Sequence, residues 1–85
     1  MTYRVFIGYW GDDAPLYSGA GEDLRHQSWW AARDRLVLSL ARFKDDDCET
    51  CRTNGTEALS RLMAAAPGNF EAEVDGTDYL ILEED

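Results

Sequence analysis

The dipeptide Asp75-Gly76 constrains the fold of this chain more than any other feature. A two-residue type I′ turn needs positive φ at both central residues, and Asp-Gly is among the sequences that accept this best. The residues on either side, 70–74 and 77–82, have the alternation and residue types of strands. Residues 69–83 are therefore predicted to form a β-hairpin. With a two-residue loop, one half-buried face of the hairpin would hold Phe70, Ala72, Val74, Thr77, Tyr79 and Ile81.

A strand, a loop and a long helix are predicted at the start of the chain. Residues 2–10 are dense in β-branched and aromatic residues, which favours a strand. Residues 11–22 contain three glycines, a proline and three acids, which favours a loop. Residues 23–43 are predicted as a helix, with Ser28 as an alternative N-cap at which it would begin. The apolar arc of this helix would hold Trp29, Ala32, Leu36, Val37, Leu40 and Phe43.

A second, shorter helix is predicted before the hairpin. Residues 44–55 are interpreted as an acidic loop that contains both cysteines, and residues 56–66 as the helix, ended by Pro67-Gly68. In an alternative version the helix begins near Asp47, because Cys48, Cys51, Gly55, Leu59, Leu62 and Ala66 would then share one face. The glycine inside that longer helix disfavours it.

These elements predict a single α+β domain over residues 1–85. The natural arrangement is a small two-layer β-α-α-β-β domain, with a three-stranded, mainly antiparallel sheet and both helices packed on one face. No apolar run approaches the roughly 20 residues that span a bilayer, and none resembles the core of a signal peptide. We therefore expect a cytoplasmic protein with no membrane partner.

The net charge of −9 limits the classes of partner. Residues 45–85 hold 12 of the 17 acids and only two bases, Arg52 and Arg61. Nucleic acids and anionic membranes bind through cations, so direct binding to either is not expected. The leading hypothesis is a non-enzymatic, acidic interaction module that binds a basic protein surface. In its extreme form it would be a small inhibitor that mimics DNA, as accessory proteins of phages can be.

The aromatic content favours a binding surface as well as a core. The chain has three Trp, four Tyr and three Phe, and aromatic residues are enriched at interfaces. Phe6, Trp10, Leu80 and Leu82 would share the outer face of the sheet, where an apolar patch would support a homodimer. No catalytic residues are predicted, since no nucleophile with a base and an orienting group can be assembled. The candidate partner-binding residues are Asp45, Asp46, Asp47, Glu49, Glu71, Glu73, Asp78, Trp10, Trp30 and Arg33.

The pair Cys48-x-x-Cys51 provides an alternative function. A structural zinc site commonly takes two such pairs, so a second chain would have to complete a zinc site across a dimer. Thiol–disulfide chemistry needs a stabilised thiolate, and the neighbouring Asp45, Asp46, Asp47 and Glu49 are expected to disfavour it. The leading hypothesis needs no cofactor.

A third hypothesis is a ligand-binding dimer that uses His26, Trp30 and Arg33. On the predicted helix, Arg33 falls inside the apolar arc and close to the other two residues. Its guanidinium could stack on the Trp30 ring or bind a planar anionic ligand.

Overall fold

The computed structural model describes residues 1–10, 15–16 and 22–84. Three strands precede the helices: β1 (Thr2–Trp10), β2 (Pro15–Leu16) and β3 (Glu22–His26). Helix α1 (Trp29–Ala41) continues into a 3₁₀ turn (Arg42–Asp45), and helix α2 (Glu49–Ala64) follows. The chain then forms β4 (Phe70–Val74) and β5 (Thr77–Glu84). The predicted α+β class is confirmed.

All strand pairs are antiparallel, and the sheet is four strands wide. β5 lies between β1 and β4, while β2 and β3 both pair with the other edge of β1. The expected three-stranded sheet is therefore too small, because residues 22–26 form a strand instead of the end of a loop and the start of a helix. Charge pairs between strands hold β3 in place. Arg4 binds Asp23 through two contacts of 2.6 Å, and Arg25 binds Glu84 at 2.7 Å.

The hairpin has the predicted register and turn. Val74 pairs with Thr77, Ala72 with Tyr79 and Phe70 with Ile81. Asp75 has φ 52° and Gly76 has φ 77°, which are the positive values that the type I′ turn requires. The two-residue turn therefore sets the pairing register, and the register determines which side chains of both strands face the core.

Helix α1 begins at Trp29, directly after the alternative N-cap Ser28 and six residues after the predicted start at residue 23. Ser28 has extended backbone angles, and its Oγ accepts the Ala31 N–H at 3.1 Å. This cap satisfies one of the backbone donors that the first turn leaves free. Residues 22–26 therefore lie outside the helix and pair with β1 as strand β3.

Helix α2 begins at Glu49, so residues 49–55 are helical and the longer of the two predicted versions is correct. Cys48 is its N-cap, and the buried face holds Cys51, Gly55, Ala58 and Leu62. A Cβ at Gly55 would lie 2.3 Å from the Cβ of Phe43. The glycine that disfavoured this helix on propensity is thus the residue that allows the 3₁₀ turn to pack closely on α2.

The core lies between the helices and one face of the sheet. Val5, Ile7 and Ile81 from the sheet pack in one cluster with Leu36 of α1 and Leu62 of α2, all less than 9% exposed. Both helices therefore cover the same face of the sheet, as predicted. The opposite face, which we call the outer face, carries the alternate residues of each strand.

Candidate functional site

The structure divides the predicted acidic residues into two groups. Glu71 and Glu73 are exposed on β4, and Asp78 on β5 pairs with Glu73, so all three lie on the outer face. The second group lies in the 3₁₀ turn and around the start of α2, in the helical layer, and comprises Asp45, Asp46, Asp47 and Glu49. A partner that binds the outer face would therefore meet the first group rather than all seven acids.

A groove of about 510 Å³ lies on the outer face beside the first group. Leu80 and Leu82 supply apolar walls, and Glu71 and Asp78 supply carboxylates. A second groove of about 290 Å³ shares Glu71, Asp78 and Leu80 with it, and is also lined by Glu73 and by one cation, Arg61 of α2. We call the two together the acidic groove. Its chemistry suits a side chain with an aliphatic stem and a cationic end.

Two of the four residues of the predicted apolar patch, Phe6 and Leu80, are buried. Phe6 is 0% exposed and offers no surface to a second copy, and Leu80, at 8% exposed, offers only a small one. The Trp10 side chain lies outside the described residues. Dimerisation through this patch consequently loses two of its four proposed contacts.

Trp30 and Arg33 form the predicted stack on α1. The guanidinium carbon of Arg33 lies 4.9 Å from the centre of the Trp30 ring, which is 59% exposed as a residue. Arg33 also pairs with Asp34 at 3.1 Å. His26 lies at the end of β3, opposite Tyr3. In the part of the chain that the structure describes, the two grooves of the outer face and the polar cavity beside α1 are lined by other residues, so they give the ligand-binding hypothesis no pocket.

The two cysteines are unpaired and differ in exposure. Cys48 is exposed at the N-cap of α2, whereas Cys51, in the first turn, is 7% exposed. The Cys48 Sγ accepts the Cys51 N–H at 3.3 Å. Asp46 Oδ1 accepts the Cys48 N–H at 2.7 Å, which fixes the backbone just before the helix. One sulfur therefore faces solvent at the helix N-terminus, and the other lies behind it.

Hydrogen bonds give the two thiols opposite pKa shifts. The thiol and backbone N–H of Cys51 both stabilise the Cys48 thiolate and lower the pKa of Cys48, against weaker effects of burial and the Asp46 charge. The same thiol–thiol hydrogen bond, with desolvation, raises the pKa of Cys51 to about 11. We expected the neighbouring acids to control thiolate formation, but in this structure the hydrogen bonds outweigh them at Cys48.

Asp46 joins the cysteines as a third group with metal-ligating atoms. One carboxylate oxygen and both sulfurs lie within 4.8 Å of one another. Sequence reasoning grouped Asp46 with a surface for partners and missed this proximity, although an Asp two residues before an N-cap commonly turns back to the backbone. A structural zinc site takes four protein ligands, so the described residues of one chain supply one too few.

A polar cavity of about 380 Å³, which the sequence did not predict, lies between the end of α1 and the sheet. Arg35 donates to Ser39 Oγ at 2.7 Å, and Arg42 lies near Tyr79. Burial raises the pKa of Tyr79, and the charge of Arg42 opposes that shift. Asp45 and Asp46 balance the two guanidinium groups on the cavity wall. The cavity therefore has no net charge that would select a ligand class.

Comparisons with protein-family models, curated proteins and solved structures find no match to this chain. Among the described residues, no helix is long and apolar enough to cross a bilayer.

Proposed function

We propose that this protein is a non-enzymatic interaction module whose acidic groove binds a basic surface of another protein. The observation that carries the proposal is the state of Glu71 and Glu73. Both are exposed, and neither forms an ion pair with any residue that the structure describes. They border apolar walls formed by Leu80 and Leu82.

The chemistry of the groove favours lysine and arginine side chains in the partner. Such side chains pack their methylene stems on apolar surface and keep the charged end in contact with polar groups. Leu82 and the small exposed part of Leu80 provide the apolar surface of the acidic groove. Glu71, Glu73 and Asp78 provide three carboxylates against the one guanidinium of Arg61. A second copy of this chain is a poorer occupant, because it would bring the same carboxylates against each other.

The partner is expected to bind on the face of the sheet rather than add a strand to its edge. β4 is an edge strand, and Arg61 of α2 donates to the Glu71 carbonyl at 3.0 Å. The same guanidinium lies 5.4 Å from the centre of the Phe70 ring, which holds the arginine over the strand. An added strand would have to displace it.

Charge reversal tests the proposal with a synthetic peptide of alternating lysine and leucine as the probe. Two variants that make the same change in net charge are compared, E71K/E73K in the groove and D47K/E49K in the helical layer. Exposed ion pairs contribute about 0.2–1 kcal/mol each, so reversing two charges should weaken binding about tenfold. Fluorescence anisotropy at low salt measures both affinities.

The comparison distinguishes a groove from a merely acidic protein. We expect E71K/E73K to lose about tenfold in affinity and D47K/E49K to lose less than about threefold, with both differences reduced at high salt. Equal losses in the two variants would show that net charge alone attracts the peptide, and the proposal would then be wrong. If sedimentation shows a dimer of this protein that persists when the peptide is added, a second copy of the chain occupies the groove instead of a basic partner.

A further inference from the structure

The Cys48-x-x-Cys51 pair is independent of the acidic groove and has a geometry of its own. We infer that Cys48 and Cys51 form a redox-active dithiol that exchanges with neutral or cationic disulfides. Their sulfur atoms lie within 4.8 Å of each other, in the N-cap and first turn of α2. Formation of a disulfide requires the two sulfur atoms to approach to about 2 Å, and both belong to the first residues of one helix.

The difference in exposure assigns the two roles. Cys48 is exposed and its sulfur accepts the Cys51 N–H at 3.3 Å, so the group that an external disulfide can reach is also the stabilised thiolate. Cys51 is 7% exposed, too little for direct attack on a disulfide in solution. It can instead reach the sulfur of Cys48. Cys48 is therefore the attacking residue and Cys51 the resolving residue.

The exchange balances without any further reactant. The Cys48 thiolate attacks one sulfur of a disulfide RSSR, forms a mixed disulfide and releases RS⁻. The Cys51 thiol gives its proton to solvent, and its thiolate attacks the Cys48 sulfur and releases the second RS⁻. Both leaving groups take up protons. The dithiol has then lost two electrons to RSSR, which is reduced to two RSH.

The surrounding charges determine which disulfides react well. Asp46, Asp47 and Glu49 flank Cys48 along the chain, and Asp75 of the hairpin acts electrostatically on Cys51. The Arg52 guanidinium donates to the Asp46 carbonyl at 2.6 Å. The charged side chains that act electrostatically on the two thiols, Asp46 and Asp75, are both anionic, which repels anionic disulfides and attracts cationic ones.

The experiment uses the reduced, full-length protein and three disulfides of different charge. These are cystamine (cationic), bis(2-hydroxyethyl) disulfide (neutral) and oxidised glutathione (anionic). Intact mass reports the loss of two hydrogens or a mixed adduct with time. We expect the cationic probe to react at least about fivefold faster than the anionic one at low salt, and the difference to shrink as salt screens the charges.

Variants separate the roles of the residues. C51S should accumulate the mixed disulfide on Cys48, whereas C48S should react at least tenfold more slowly because Cys51 is buried. E49Q removes one carboxylate next to Cys48 in the sequence and should reduce the preference for cystamine about twofold. E57Q, on the same helix two turns away, is the matched control and should leave that preference unchanged.

Three outcomes would overturn the inference. The first is a wild-type protein that keeps the mixed disulfide and never forms the internal one. The second is equal reactivity of C48S and C51S. The third is stoichiometric uptake of Zn²⁺ by the reduced protein, with loss of exchange, which would show that the cysteines and Asp46 hold a metal ion, completed by a second chain. Each outcome leaves the groove proposal untouched, since E71K/E73K changes no residue near the sulfurs.

Discussion

Replacement of Gly55 by alanine should destabilise the protein, although alanine is the better helix former. An added Cβ would lie 2.3, 2.5 and 2.8 Å from three carbon atoms of Phe43. Real Cβ atoms do not approach carbon this closely, so the 3₁₀ turn or the helix would have to shift. Overpacking costs about 1–3 kcal/mol, and three overlaps closer than 3 Å place this substitution in the upper part of that range, at about 2–3 kcal/mol. Gly55 lies inside α2, where alanine gains about 1 kcal/mol in helix propensity.

The two effects oppose each other, and the steric one is larger. We expect G55A to lose about 1–2 kcal/mol of stability, which corresponds to a fall in Tm of about 4–16 °C for a domain of this size. Thermal and urea unfolding followed by circular dichroism measure it. The matched control is S60A, an exposed position in the same helix, where the change should stay within about 0.5 kcal/mol.

A double-mutant cycle isolates the contact. In an F43G background both the Cβ and the ring of Phe43 are gone, so G55A should stabilise the protein by up to about 1 kcal/mol. The sign of the G55A effect therefore reverses between the two backgrounds. If G55A is as stable as the wild type when Phe43 is present, the close packing of the 3₁₀ turn against α2 is not what requires a glycine at this position.

Three further predictions follow from single contacts. G76A should cost about 1–2 kcal/mol in urea unfolding, because Gly76 has φ +77° and a side chain there is strained; a loss below 0.3 kcal/mol would contradict the turn. R4M removes the two-contact ion pair with Asp23, whose side chains are 18% exposed, and should cost about 1–2 kcal/mol of stability. R25M removes an ion pair at a side chain that is 60% exposed and should change stability by less than about 0.5 kcal/mol. Equal effects of the two substitutions would show that burial does not set the strength of these ion pairs. Because the pKa of Cys48 is lowered and that of Cys51 is raised to about 11, iodoacetamide at pH 8 should modify Cys48 first and reach Cys51 only as the pH approaches 11, as site-resolved mass spectrometry would show.

The parts of the fold that depend on local chemistry were predictable from the sequence. The hairpin turn at Asp75-Gly76 and the cap at Ser28 each depend on a few adjacent residues, and both were identified. β3 was missed because its stabilising charge pairs join residues 19 and 59 positions apart. The start of α2 was judged from the helix propensity of Gly55, whereas the close approach of Phe43 explains why a glycine lies inside this helix.

For the candidate sites too, the sequence predicted the features that depend on neighbouring residues and missed those that depend on packing. The cysteine spacing was visible in the sequence, and so were the carboxylates of the hairpin. The exposure of each sulfur was not, because burial of Cys51 depends on how α2 packs. Likewise, the leucine walls of the acidic groove belong to β5 and its carboxylates belong to both hairpin strands. The alternation of the strands predicts that these leucines and carboxylates share one face of the sheet. It does not predict that a groove forms on that face.

The position of β5 in the sheet has a consequence for how the chain folds. β5 follows the other described strands in sequence, yet it lies between β1 and β4, and Glu84 pairs with Thr2. Closing a loop of about 80 residues costs about 4 kcal/mol in chain entropy, so this pairing should form late and slow the folding reaction. During synthesis, β1 can pair with β3 early, but the sheet cannot be completed until residue 84 is free. Loss of β5 would remove the middle of the sheet rather than its edge, and would leave β4 with no strand to pair with.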